Sequence, residues 1–521
     1  MAISNSNAAA PDAALVALNR FGLGARPGDD LKKIAGDPRG YLKAELKQQD
    51  IALISPDDPA NAGLLDSTAA IQASITANVE RKVARDRMAE ASMQQSATDA
   101  PAGQPGAMAP KPGAIAPKSG ATAPKPDAMA AKTPTAVPQP GTPPPKPAVP
   151  PVEADIYRAE AKARFDRAFN AGPGFVERLV AFWSNHFCVS AAKGQVVRAS
   201  AGAFEREAIR PFVFDHFANM LLAVEHHPAM LFYLDNQQSI GPDSRAGMRR
   251  TRGLNENLAR EILELHTLGV GSGYSQGDVT SFAGMLTGWT MAGREGRLGE
   301  PGTFVFNANA HQPGKAMLLG KTYPDGGMGQ AEAALNDIAR QPATALHIAT
   351  KLARHFIADN PPPAAVTHLA EVFAKTDGNL MAVSQALIDM PQAWSTPLTK
   401  LRSPIDYVVS LRRAIGPSAG NEPQRTLGWL RALGEPLWEP PGPNGFPDQT
   451  DAWASAEGMK TRLDIAWQAA RQASNIGNPN EMLDELFGPS ASPETRQAIA
   501  RAESKQQALA LLLMAPEFQR R

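Results

Sequence analysis

Apolar residues recur at helical spacing along most of the chain, and strand-like alternation is rare. The spacing predicts helices over 67–93, 154–170, 175–187, 204–225, 254–268, 276–289, 330–340, 343–357, 364–374, 379–390, 404–414 and 493–515. One hairpin is expected, between 302–306 and 316–320. The fold class read from this pattern is mostly α: a multi-helix globular protein with at most a small β-hairpin.

Proline interrupts the pattern. Of 46 prolines, 16 lie between Pro101 and Pro151, in a stretch without aromatic residues where Ala-Pro-Lys recurs at Ala109, Ala116 and Ala123. Such a segment cannot bury enough apolar surface to offset its ordering entropy, so a disordered Pro/Ala/Lys-rich insertion is expected over 96–152. It separates an N-terminal helical part, 1–95, from the main helical domain, 153–521. The helices flanking it are expected to pair antiparallel, with the insertion at their tip.

Lys and Arg number 52, as do Asp and Glu, so no net charge draws the chain toward nucleic acid. Cys188 is the only cysteine, which excludes an internal disulfide and any multi-cysteine metal site. The longest apolar runs fall far short of the ~20 residues of a membrane span, and the start lacks a basic region and long apolar stretch. A cytoplasmic location is therefore the default expectation, without a transmembrane segment.

The segment FVERLVAFWSNHF, 175–187, places Phe175, Leu179, Phe182 and Trp183 on one side of a helix, with His186 in their midst. A histidine aimed into a core is either a satisfied core residue or a ligand or general base. Asn185 and Arg178 fall beside the stripe as available partners. In LNENLAREILELHTL, 254–268, Glu261 projects inside the face formed by Leu254, Leu258, Leu265 and Leu268. Asn257 and Glu264 flank it, and Gly269 closes the helix. A carboxylate pointed into a core must be paired or have its pKa raised. At 100° per residue His266 lies about 140° from Glu261, on another side of the helix.

Residues 346–357 put Leu346, Ala349, Leu352, Ala353, Phe356 and Ile357 on a core side and His347, Lys351 and Arg354 opposite. That basic stripe reads as a solvated face or as an anion-facing wall. The loop 306–321 carries His311 and Lys315 on a non-helical tip suited to binding. The turn-rich segment 440–453 reads as a structural brace, and Ser275 with Asp278 as a helix cap. His226 and His227 sit at a helix end, where a cationic imidazole is favoured.

In order along the chain, LNRFGLGARPG from Leu18, FWSNHF from Phe182, HPAMLFYLDN from His227 and GLNENLAREILELHTLGV from Gly253 resemble the bacterial domain-of-unknown-function 1800 family. So do YSQGDV from Tyr274, LTGWT from Leu286, HQPGKAMLLG from His311, KLARHFI from Lys351 and LLLMAPEFQRR from Leu511. The resemblance implies a predominantly helical protein, in a family whose activity is not established. Many relatives carry export signals. Their genes often neighbour members of the domain-of-unknown-function 1501 family, which looks related to the alkaline phosphatase and sulfatase fold, so the resemblance implies a partner of that kind. Gln312 stands where relatives usually have aspartate, which weakens a metal site in that loop.

The expected function is an enzyme-like, semi-buried site of His186, Asn185, Asn257, Glu261 and Glu264, with His311, Lys315, Lys351 and Arg354 as binding residues. Its chemistry would be acid/base or metal-assisted hydrolysis. The alternative is a non-catalytic scaffold or partner protein whose buried polar residues lock helices. Axial haem ligation through His186 is a third option. No particular metal or cofactor follows from the sequence.

Overall fold

The computed structural model describes residues 12–98, 151–249, 253–416, 423–473 and 477–521. Residues 1–76 and 152–521 form one compact unit and 77–151 a second. The proline-rich stretch falls outside the described residues. At the base of the helices that flank it, Ser74 donates to Glu153 at 3.1 Å, and Ala70 packs with Ile156. Helices Ser67–Thr98 and Val152–Asn170 therefore run antiparallel where they meet in the first unit.

The first unit is helical, as the pattern predicts. Its centre is an aromatic cluster that joins three elements far apart in sequence. Phe21 ends a π-helical turn, Val16–Phe21; its ring lies 5.7 Å from Phe175, at the start of helix Phe175–His186, and 6.2 Å from Phe356. Phe175 and Phe356 are themselves 5.6 Å apart, edge to face. Phe356 ends helix Pro342–Phe356, so the contact fixes that helix against Phe175–His186.

Two of the expected helices are broken. The 204–225 pattern resolves into Gln195–Phe204, a π-helical turn Glu205–Ile209, a 3-10 turn at Arg210–Phe212 and helix Phe217–His226. Pro211 has no N–H to continue the ladder. The 493–515 pattern splits into Pro493–Ala500 and Lys505–Met514, the second opened by an N-cap at Ser504.

The expected hairpin does not form. The first strand, β1 (Trp289–Met291), pairs instead with β2 (Phe304–Phe306), and β3 (Ala316–Leu318) with β4 (Lys321–Tyr323), in two separate antiparallel pairs. The β3–β4 turn is Leu319-Gly320, both at positive φ (51° and 76°), the backbone of a two-residue hairpin turn. Leucine is a poor residue for that conformation, so the sequence carries no turn signal. Asp278 offsets the cost by accepting from the Leu319 N–H at 2.7 Å. The same Asp278 forms the expected reciprocal cap with Ser275 at the head of Gln276–Leu286. No helix among the described residues is long and apolar enough to cross a membrane.

Candidate functional site

His186 is 2% exposed, at the end of its helix, and Phe182, Trp183 and Phe187 pack around it. Its Nε2 lies 3.1 Å from the His266 carbonyl oxygen. A carbonyl only accepts, so Nε2 carries the proton and Nδ1 is left as an acceptor, buried and without a partner among the described residues. Burial, with the charges of Lys351, His347 and His266 added, holds the ring well below the ordinary histidine pKa.

His266 comes to this point because its helix changes pitch. Asn257–Glu261 is α-helical, but Ile262–His266 is a π-helical turn. The wider turn shifts every later residue off the 100° wheel, and His266 is directed inward, 1% exposed, rather than to the separate side the wheel gave it. Its Nδ1 donates to Glu225 Oε1 at 2.7 Å, from the last turn of Phe217–His226. The carboxylate thereby fixes the tautomer, with Nε2 as the basic nitrogen and no partner for it among the described residues. Gly269 closes the turn at φ 92°, and a Cβ there would stand 2.7 Å from His347 Nδ1.

His347 and Lys351 correct the solvated-face reading. The His347 ring is 6.2 Å from His186, and its Nε2 donates to the Leu265 carbonyl at 3.3 Å. Leu346, expected in the core, is instead 54% exposed. The helix is rotated because Phe356 is held by the aromatic cluster, which turns the His347–Lys351 edge toward His186. Burial lowers the Lys351 ammonium to about 8, and no hydrogen bond or ion pair holds it among the described residues. Arg354 points elsewhere, donating to the Asp359 carbonyl.

Glu261 is half-buried, its pKa raised by burial and by Glu264 and lowered by His266 and Arg260. It also raises Tyr233, as does Cys188, after burial of that phenol. No hydrogen bond joins Glu261 to His186; the two meet through His266, which one carboxylate flanks and whose carbonyl holds the other ring. Burial pushes the Cys188 thiol up to about 12, which disfavours the thiolate, and Sγ faces the Gly442 and Pro443 carbonyls at 3.5 and 3.3 Å.

The other expected members of the site divide between it and other tasks. Asn257 is exposed, so it cannot belong to a semi-buried cluster. Glu264 is half-buried like Glu261 and acts on it, but it also faces Arg260 at 3.6 Å and accepts a hydrogen bond from Tyr274. Asn185 is spent on a loop, donating to the Phe446 carbonyl at 2.9 Å and accepting from its N–H at 2.8 Å. Arg178 is turned the other way, its Nε and Nη1 donating to the Gly22 carbonyl and Asp406. Asn185, Ser190 and Lys400 all hold segment 440–453, in line with its reading as a brace. His311 donates to the Thr287 carbonyl at 2.9 Å, beside the β1–β2 pair, and Lys315 is exposed in the same loop. His226, expected to be cationic, is lowered by burial to about 4, against the rings of Trp289 and Phe304.

Among the described residues no group of three His, Cys, Asp or Glu is placed to hold a metal ion. Sequence reasoning missed Glu225 and Tyr233, and gave His266 no role. The only signal for Glu225 was a carboxylate at an apolar helix end. No curated protein and no solved structure matches the chain. A family model does match, over residues 16–520: the chain belongs to the proteins of unknown function DUF1800.

Proposed function

We propose that the chain is an acid–base hydrolytic enzyme acting on an anionic substrate at the His266 cluster. The observation that carries this reading is the Glu225–His266 pair, in which a buried carboxylate orients an imidazole whose second nitrogen has no protein partner. Geometry of this kind is how a general base is held in one tautomer. His266 Nε2 would take a proton from the attacking water. Glu261, whose hold on a proton burial strengthens, would return one to the leaving group. The unpaired ammonium of Lys351 would neutralise the substrate's charge, and the neutral rings of His186 and His347 would line the same wall.

The test is a hydrolysis panel of p-nitrophenyl acetate, phosphate, sulfate and glycosides with the full chain. Whichever ester is cleaved should lose ~10²–10⁴-fold in kcat in His266→Gln and Glu261→Gln, with unchanged circular dichroism. Equal rates in the parent and both variants would remove the proposal. Inactivity throughout, with His266→Gln only losing stability, would favour the scaffold reading, because His266 and Glu225 are both buried deeply enough to lock two helices.

A further inference from the structure

A separate cleft of about 1020 Å³ opens beside the β1–β2 pair. One wall is the segment between the two strands, which carries Arg294 and Arg297. The other is the segment before residue 250, which carries Arg245 and Arg249. Four arginines line the cleft against one carboxylate, Glu295, which is itself paired with Arg297 at 2.6 Å. In a chain with equal numbers of acidic and basic residues this is a local excess of positive charge.

The walls are fixed by backbone bonds rather than by the arginines. The Ala292 N–H donates to Thr303 at 2.8 Å and the Gly302 N–H to Ala292 at 3.0 Å, closing the base of the Arg294 loop. On the other side the Ala246 N–H donates to Asn309 at 2.8 Å and the Gly241 N–H to Ala310 at 2.9 Å. No hydrogen bond or ion pair among the described residues occupies the side chains of Arg245, Arg249 or Arg294, and all three are exposed. Trp289 lines the cleft and is fully buried, and its indole N–H has no partner either; nor has the buried Gln237 Oε1. The framework is therefore ordered while its charges are left unanswered.

We propose that this cleft binds a tetrahedral oxyanion, a phosphate or sulfate ester group, gripped by Arg245 and Arg294 from opposite walls with Arg249 and Arg297 at the rim. The guanidinium fork matches two oxygens of such a group, which an ammonium cannot do. The cleft abuts the histidine cluster through one helix end. Glu225 reaches His266, while the next residue, His226, packs its ring 4.3 Å from Trp289. The binding itself is independent of any reaction at His266.

Calorimetric titration of the full chain with inorganic pyrophosphate and, separately, sodium sulfate tests the proposal. At least one should bind with a millimolar or tighter constant that weakens with added sodium chloride. The double variant R245A/R294A should weaken it at least tenfold, R294K should weaken it too, and K315A should leave it unchanged. The preferred anion tells a phosphate from a sulfate ester. No binding of either anion, or equal affinity in R245A/R294A, would overturn the site. His266→Gln should bind as the parent does, so loss of the hydrolytic reading would leave this one standing.

Discussion

Helix Phe175–His186 serves two polar regions that differ in one respect. On one side Glu177 and Ser184 join a buried ion network. Arg210 gives hydrogen bonds to Glu177, Glu205 and the Ala52 carbonyl, and Glu205 also accepts from Ser184 and from Trp438. The second Glu205 oxygen pairs with Arg164 at 3.0 Å. Here every N–H of one guanidinium is answered, and the Arg164 and Arg210 charges pull the Glu205 carboxyl below its usual value against the burial that would raise it. On the other side His186 Nδ1 and Glu225 Oε2 are buried and have no partners among the described residues, and the Lys351 ammonium is desolvated beside them. A completed network holds helices together; an uncompleted one leaves donors and acceptors for something else. The cost of desolvating charge is met in the first region and carried as a standing penalty in the second.

The largest break in that contrast should come from the completed side. Glu205→Gln leaves Arg164 and Arg210 short of a counter-charge, and urea unfolding should show a loss of ~3–5 kcal/mol. Gly269→Ala comes next. A methyl group at φ 92°, against His347 Nδ1, should cost about 1–2 kcal/mol and shift the His347 ring signals in NMR.

The third prediction concerns pH. The native His186 ring stays neutral while the unfolded one takes up a proton, so below about 6.5 the unfolded state binds more protons and stability falls with pH. His186→Gln keeps a donor for the His266 carbonyl but does not titrate, so the acid limb of its stability curve should flatten by up to one proton. The smallest effect on stability belongs to Lys351. Lys351→Met relieves a desolvated charge and breaks no pair, so its unfolding free energy should equal the parent's or exceed it by about 1 kcal/mol. The same residue should be prominent chemically: amine labelling should reach half its maximal rate near pH 8, far below an ordinary lysine. A Lys351 that titrates normally would erase the difference between the two regions.

Much of this was legible from residues alone. The stripe Phe175, Leu179, Phe182, Trp183 marks the helix and places His186 inward, and both hold because α-helical spacing continues to residue 186. Glu261 within the Leu258 face likewise becomes a half-buried carboxylate with a raised pKa. The readings that failed depend on pitch or on docking. His266 was misplaced by a wheel that assumed one period, whereas three π-helical turns, at Val16–Phe21, Glu205–Ile209 and Ile262–His266, change it. Asn185 pointed to the right neighbourhood but was claimed by the Phe446 backbone, a partner 261 residues away.

Periodicity and local motifs, written in neighbouring residues, carry the helical class, the family and the inward direction of His186. Tertiary structure alone decided that His347 and Lys351 face His186, that Glu225 holds His266, and that four arginines from two segments share one cleft. Each of these depends on how rigid elements distant along the chain are rotated against one another. That rotation is set by long-range packing such as the contact of Phe21 with Phe175 and Phe356, and no local pattern encodes it.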